Sequence, residues 1–156
     1  MQTLRSKASR ILVFAAVLGA LAAHLGSARS LDEQLTEQLG SAKYVYLSSE
    51  RKSGEWSEPA EIWFLWDQGS VWVGTKPSTW RVRRIKAGRT KARIAIGKVD
   101  GPTFEATGAV VKDAAIEAKL METYAKKYPD GWKSYEPSFR DGWKSGERVL
   151  VRYTPR

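Results

Sequence analysis

Cysteine is absent from all 156 residues, so no disulfide framework, thiolate nucleophile or cysteine-ligated metal can be built. Histidine is nearly absent: His24 is the single one. It falls in a leading segment of targeting composition, which leaves no histidine for a catalytic triad or a zinc site, and no metal is expected. No block of like charge forms a tail, and no homeodomain, zinc-finger or RNP-type pattern occurs. The formal net charge of +9 therefore does not read as a nucleic-acid module, and no nucleic-acid partner is expected. Long apolar runs are missing as well. The run from Ile11 to Ala23 has 13 residues, short of the roughly 20 that a membrane-spanning helix needs.

That run has a positive flank in Arg5, Lys7 and Arg10 and is followed by the small residues Gly26, Ser27 and Ala28. The pattern is that of a signal peptide or signal anchor over residues 1–28. It implies export, periplasmic or secreted, or membrane anchoring through residues 11–28 if uncleaved; a start codon lying further downstream would instead leave the chain cytoplasmic. The remainder is one domain's worth of sequence, with 42% hydrophobic residues, seven Trp and six Tyr. An aromatic load of this kind suits strands packed on large side chains or around a planar ligand.

Periodicity along this remainder alternates in an α+β manner. Residues 29–41 hold a short amphipathic helix with leucines at 31, 35 and 39 and a stop at Gly40. Strands are expected at Lys43–Ser49, Glu61–Trp66, Ser70–Val73, Ala92–Gly97, Thr103–Val111 and Arg148–Tyr153. Asp113 is placed to cap a helix from Ala114 to Tyr128, ended by Pro129-Asp130-Gly131. Asp-Gly-Trp-Lys-Ser occurs at 130–134 and again at 141–145; each copy reads as a turn with its Trp packed back on the body, the alternative being a Trp that lids a pocket. Six strands joined by hairpin-length turns, with a helix before the last, indicate a six-stranded antiparallel Greek-key split β-barrel over 42–156. The run Ile62–Trp66 is apolar on both faces, more than one small barrel buries, and predicts a homodimer.

The stretch from Gly74 to Ile85 carries the chemistry. A β-branched strand ends at Thr75, Pro77 blocks its continuation, and a basic helix over 79–87 comes next. Lys76, Ser78, Thr79, Arg81 and Arg84 then stand where a strand gives way to a helix, a junction suited to a phosphate. The other reading is a solvated basic helix.

In element order, and in the motifs Lys52-Ser53-Gly54, Pro59-Ala60-Glu61-Ile62-Trp63-Phe64, Asp67-Gln68-Gly69, Val71-Trp72-Val73-Gly74-Thr75 and Arg81-Val82-Arg83-Arg84-Ile85, the chain resembles the pyridoxamine 5′-phosphate oxidase-like split-barrel family of flavin and deazaflavin proteins. The resemblance covers about residues 42–153. It implies that Glu61, Ile62 and Trp63 lie along a flavin ring and that Thr75 closes the third strand. Ser78, Thr79 and Arg81 would grip the flavin phosphate. Where the family has two adjacent cations, the first is Trp80 here, so Lys76 or Arg84 would share the grip. It also implies a cofactor, FMN or a deazaflavin, held between two subunits.

Two classes of function are open on these grounds. One is a flavin- or deazaflavin-dependent oxidoreductase transferring hydride to a small planar or hydrophobic substrate, with Trp63, Trp72 and Trp143 around the pocket. A flavin enzyme needs few catalytic side chains, since the cofactor performs the hydride step. The other is a non-catalytic exported binder of a flavin, a haem or another anionic planar ligand.

Overall fold

The computed structural model describes residues 33–156; the signal-segment reading of residues 1–28 lies outside them. The compact unit runs from Thr36 to Arg156. Residues 33–41 are helical (α1), so the expected leucine helix passes Gly40 and ends at Ser41, with Leu39 buried. The strands are β1 (Val45–Ser49), β2 (Ala60–Ile62), β3 (Leu65–Asp67), β4 (Ser70–Thr75), β5 (Lys91–Ile96), β6 (Thr103–Val111) and β7 (Val149–Pro155). The further helices are α2 (Trp80–Lys86), α3 (Ala114–Lys127) and α4 (Pro129–Ser145). All seven strands form one antiparallel sheet in the order β2-β1-β5-β6-β7-β4-β3.

That order forces the sheet to curl. β2 and β3 lie at opposite edges, yet only Trp63 and Phe64 separate them in the chain. Laid flat, seven strands would hold the edges about 29 Å apart. The three Cα steps from Ile62 to Leu65 reach at most about 11 Å. The sheet therefore rolls until its edges nearly meet, a curled half-barrel. This corrects the expected single strand Glu61–Trp66, and the strand count from six to seven. It also removes the sequence argument for a dimer, because Ile62, Phe64 and Leu65 are buried within one chain.

The corner leaves the sheet, so its backbone groups need other partners. Three side chains on one face of the C-terminal end of α3 supply them. Tyr124 donates its hydroxyl to the Trp63 carbonyl at 2.6 Å. The Phe64 N–H donates to the Tyr128 hydroxyl at 3.2 Å, which in turn donates to the Lys43 carbonyl at 2.6 Å. Lys127 donates to the Phe64 carbonyl at 3.4 Å, and its Nζ lies 3.6 Å from the centre of the Phe64 ring. Burial pushes both phenols well above their ordinary value, which keeps them protonated as donors.

Burial also pulls the Lys127 ammonium down to about 8 from its ordinary 10.5. Between those two values the unfolded chain binds a proton that the folded chain does not, so the contribution of Lys127 to stability rises with pH across that window. Lys127→Met, which keeps the stem on Phe64, is expected to be more stable than wild type below pH 8. The gain is on the order of 1 kcal/mol, since Nζ keeps part of its contact with water. It should vanish as pH approaches 10.5. Urea midpoints of the two proteins between pH 6.5 and 10.5 check this, and a difference independent of pH would contradict it.

α3 begins as expected: the Asp113 carboxylate accepts from the N–H groups of Ala115 and Ile116, both at 3.1 Å. Past Tyr128 the chain departs from the expected turn. Pro129 opens α4 instead of ending the helical region, its missing N–H costing nothing in the first turn. Both Asp-Gly-Trp-Lys-Ser copies lie inside α4, so neither is a turn. Their spacing of 11 is close to three helical turns, which places Trp132 and Trp143 on one face. The two glycines mark close approaches: a Cβ on Gly131 would lie 2.7 Å from the Trp63 indole, and one on Gly142 2.5 Å from Arg148 Cγ. Trp132 and Phe139 of α4 join Ile116, Leu120 and Tyr124 of α3 in the core.

Candidate functional site

The corner and the two helices enclose an aromatic cleft of about 420 Å³. Trp63 forms one wall; it stacks flat on Tyr128, with centroids 4.4 Å apart and planes within 7°. Tyr124 and Tyr135 meet it edge-on at 5.7 and 5.6 Å. Phe139 lines the cleft from α4, and Arg148 lies 4.3 Å from the Phe139 ring centre while donating to Ser138 Oγ at 2.8 Å. Glu61 and Ile62 enter from β2. The Glu61 carboxylate accepts from the Tyr46 hydroxyl at 2.7 Å, a bond that pushes the Tyr46 phenol up.

Arg81 of α2 lines this cleft and also a second pocket of about 510 Å³. The side chain is half-buried, and that burial lowers its affinity for the proton. The titratable groups that act on it are the Tyr153 and Tyr124 phenols, which burial keeps protonated and uncharged. Among the described residues it pairs with no carboxylate. The Tyr153 hydroxyl is buried without a hydrogen-bond partner, and burial raises it to about 12 against the pull of Arg81. A half-buried cation with no counter-ion among the described residues, near an unsatisfied phenol, is a site that an anion would complete.

Polar and charged side chains make up most of the second pocket's lining, beside Leu47, Ala60 and Trp80. Arg84 donates to Ser49 Oγ at 2.6 Å, and Ser57, Thr79 and Arg51 share the lining. No acidic residue occurs in the first turn of α2. That helix has only seven residues and Thr79 does not cap it: the Thr79 hydroxyl accepts from Thr75 at 3.5 Å and donates to the Lys76 carbonyl at 3.0 Å. Side-chain cations, more than a helix dipole, set the field here.

The nine residues singled out from sequence therefore divide. Glu61, Ile62, Trp63 and Arg81 line the aromatic cleft; Thr79, Arg81 and Arg84 line the polar pocket. Lys76 and Ser78 face a third depression together with Arg148, and Thr75 is buried beneath Thr79. Of the aromatic residues expected around the ligand, Trp63 lines the cleft. Trp72 is core, its Nε1 donating to the Asp67 carbonyl at 2.8 Å, and Trp143 packs behind Phe139. Sequence reasoning passed over Tyr135, Phe139 and Arg148; the helical spacing of 132, 135, 139 and 143 was the signal for the first two.

No family model matches the sequence, and no curated protein matches it. Solved structures do match in fold. A protein related to general stress protein 26, of the pyridoxinephosphate oxidase family, from Clostridium acetobutylicum is 20% identical at a TM-score of 0.57, over 81% of this chain and 84% of that one. General stress protein 26 of Bacillus anthracis is 16% identical at 0.57, over 80% and 88%. HutZ, the haem storage protein of Vibrio cholerae, is 15% identical at 0.54, over 80% and 89%. Identities this low speak to architecture, and the curled antiparallel sheet, with its helices inserted ahead of β7, has the split-barrel fold of the pyridoxamine 5′-phosphate oxidase-like proteins.

Proposed function

We propose that the chain binds a planar anionic ring cofactor, FMN or a deazaflavin, and acts as an oxidoreductase on a small planar or hydrophobic substrate. The observation that carries this reading is Arg81, a half-buried guanidinium with no carboxylate partner among the described residues, lining both an aromatic cleft and a polar pocket. The donor set fits the cofactor. Ile62, Trp63, Tyr135 and Phe139 offer faces and edges to a ring, while Arg81 and Arg84 offer charge-assisted hydrogen bonds to a phosphate, with Thr79 beside them in the same pocket. A bound flavin would supply the hydride chemistry; the chain's part is to bind, orient and exclude water. Lys76 and Ser78 would serve at the rim, and Thr75 by holding Thr79.

A second reading, a non-catalytic exported binder of a flavin, a haem or another anionic planar ligand, uses the same cleft. The fold shared with HutZ favours keeping it, and the exposed Tyr135 phenol is a type of group that can ligate haem iron. The absorption spectrum of the purified protein, followed by titration with FMN, a deazaflavin, riboflavin and haem, separates the two. Tight FMN binding with weak riboflavin binding supports the first; a Soret band lost in Tyr135→Phe supports the second and removes the first.

A homodimer would cover the open side of the cleft, where Tyr135 is 51% exposed. Sedimentation at micromolar concentration is expected to give a dimer, and a monomer would rule out a site shared between subunits. Export through residues 1–28 predicts a processed N-terminus in protein recovered outside the cytoplasm; an intact one in cytoplasmic protein would remove it.

A further inference from the structure

The polar pocket holds more cation and more room than one phosphate group calls for. Arg51, Arg81 and Arg84 line its 510 Å³ against a single carboxylate, Glu58. None of the three arginines is in an ion pair among the described residues. Arg89 is outside that lining but near enough to Arg84 to act on it as a like charge. Burial above all, and then Arg51 and Arg89 as like charges, lower the hold of Arg84 on its proton. Repulsion of this kind is tolerated where a polyanion relieves it.

At the rim stands Trp80, 68% exposed, the most exposed large hydrophobic side chain among the described residues. It lines the same pocket. Arg83 and Arg84 flank it, with guanidinium carbons 5.3 and 5.9 Å from the ring centre. An indole left in water, held by cations and bordering a cationic pocket, is a stacking platform for a base.

We infer that the pocket between α2 and the β1–β2 edge is a subsite for a nucleoside diphosphate, with the pyrophosphate on Arg51, Arg81 and Arg84 and the base on Trp80. This rests on the flavin reading only in joining the pocket to the cleft through Arg81. Two sources supply such a group: the adenosine diphosphate half of a dinucleotide flavin, or that of a nicotinamide dinucleotide reductant.

Calorimetric titration of the full chain with ADP, pyrophosphate, FMN, FAD and NADH tests the subsite. ADP is expected to bind, and Trp80→Ala to weaken it about tenfold while leaving pyrophosphate unchanged. Arg51→Ala is expected to weaken both, whereas Lys86→Ala, exposed and outside the pocket, should alter neither. FAD binding tighter than FMN in wild type, with the advantage lost in Trp80→Ala, assigns the subsite to the cofactor. NADH binding that FMN displaces and Trp80→Ala weakens, with FAD no tighter than FMN, assigns it to a reductant that takes the pocket in turn with the FMN phosphate. FMN binding without ADP binding overturns this inference and leaves the flavin reading standing; ADP binding without FMN binding does the reverse. ADP affinity equal in wild type and Trp80→Ala overturns the stacking role.

Discussion

Replacing Arg81 by alanine is expected to weaken FMN binding about ten- to a hundredfold. A hydrogen bond to a charged group is worth about 1.5–3 kcal/mol, and each 1.4 kcal/mol is a factor of ten. Arg81 falls in the strong part of that range because its guanidinium is already partly dehydrated and unpaired; the folded protein has met the desolvation cost before the ligand arrives. Lys86 belongs to the same basic helix but is exposed and lines neither pocket. Lys86→Ala is therefore expected to change affinity by less than about twofold, as screened surface charges do. Riboflavin, which lacks the phosphate, should bind wild type and Arg81→Ala alike. Fluorescence titration of the three proteins reads all of this. Equal losses in the two variants would mean diffuse electrostatics, and wild type that binds neither FMN nor a deazaflavin would end the flavin reading while leaving the fold untouched.

The largest loss of stability is expected from Phe64→Ala, about 3–5 kcal/mol, the range for truncating a buried phenylalanine. That is a large part of the roughly 5–15 kcal/mol that holds a typical domain together. Phe64 is 0% exposed and sits between the two sheet edges, with Tyr128 bonded to its N–H and Lys127 over its ring. Truncation would empty the corner and leave the Lys127 ammonium facing a cavity. Phe64→Leu should restore more than half of the loss. Trp66→Ala, two residues on but only half-buried, should cost clearly less. Urea denaturation monitored by circular dichroism measures the series. A Phe64→Ala loss below about 1 kcal/mol would show that the edges are held together by something else.

Much of the sheet was legible because its strands alternate or carry β-branched residues: β1, β4, β5, β6 and β7 lie where the pattern puts them, to within two residues at each end. The corner was not. Glu61 to Trp66 is continuously apolar after its first residue, and such a run looks the same whether a strand is buried on both faces or the chain passes from one edge of a sheet to the other. α4 was hidden by its composition. Two Asp-Gly pairs and Pro137 are turn and breaker signals, and only their three-dimensional neighbours, the Trp63 indole and the Arg148 stem, explain glycine in a helix. The site divides on the same line. Arg81 and Arg84 announced an anion through local charge, whereas Tyr135, Phe139 and Arg148 depend on α4 being a helix and on where it docks.

The strand order carries one more consequence, for the time course of folding. β7 pairs with β6 on one side and β4 on the other, and among the described residues no other hydrogen-bonded strand pair links β2-β1-β5-β6 to β4-β3. It is also the last of the seven to leave the ribosome. Until Val149–Pro155 emerges, the nascent chain holds two separate sheet fragments with open edges, β6 and β4, whose eventual partner is not yet made. Pairs such as Val71 with Tyr153 close loops of some eighty residues, the kind of contact that slows folding. The barrel thus closes only once β7 is free to pair, and until then the open edges of β6 and β4 are where a growing chain would need shielding from its neighbours.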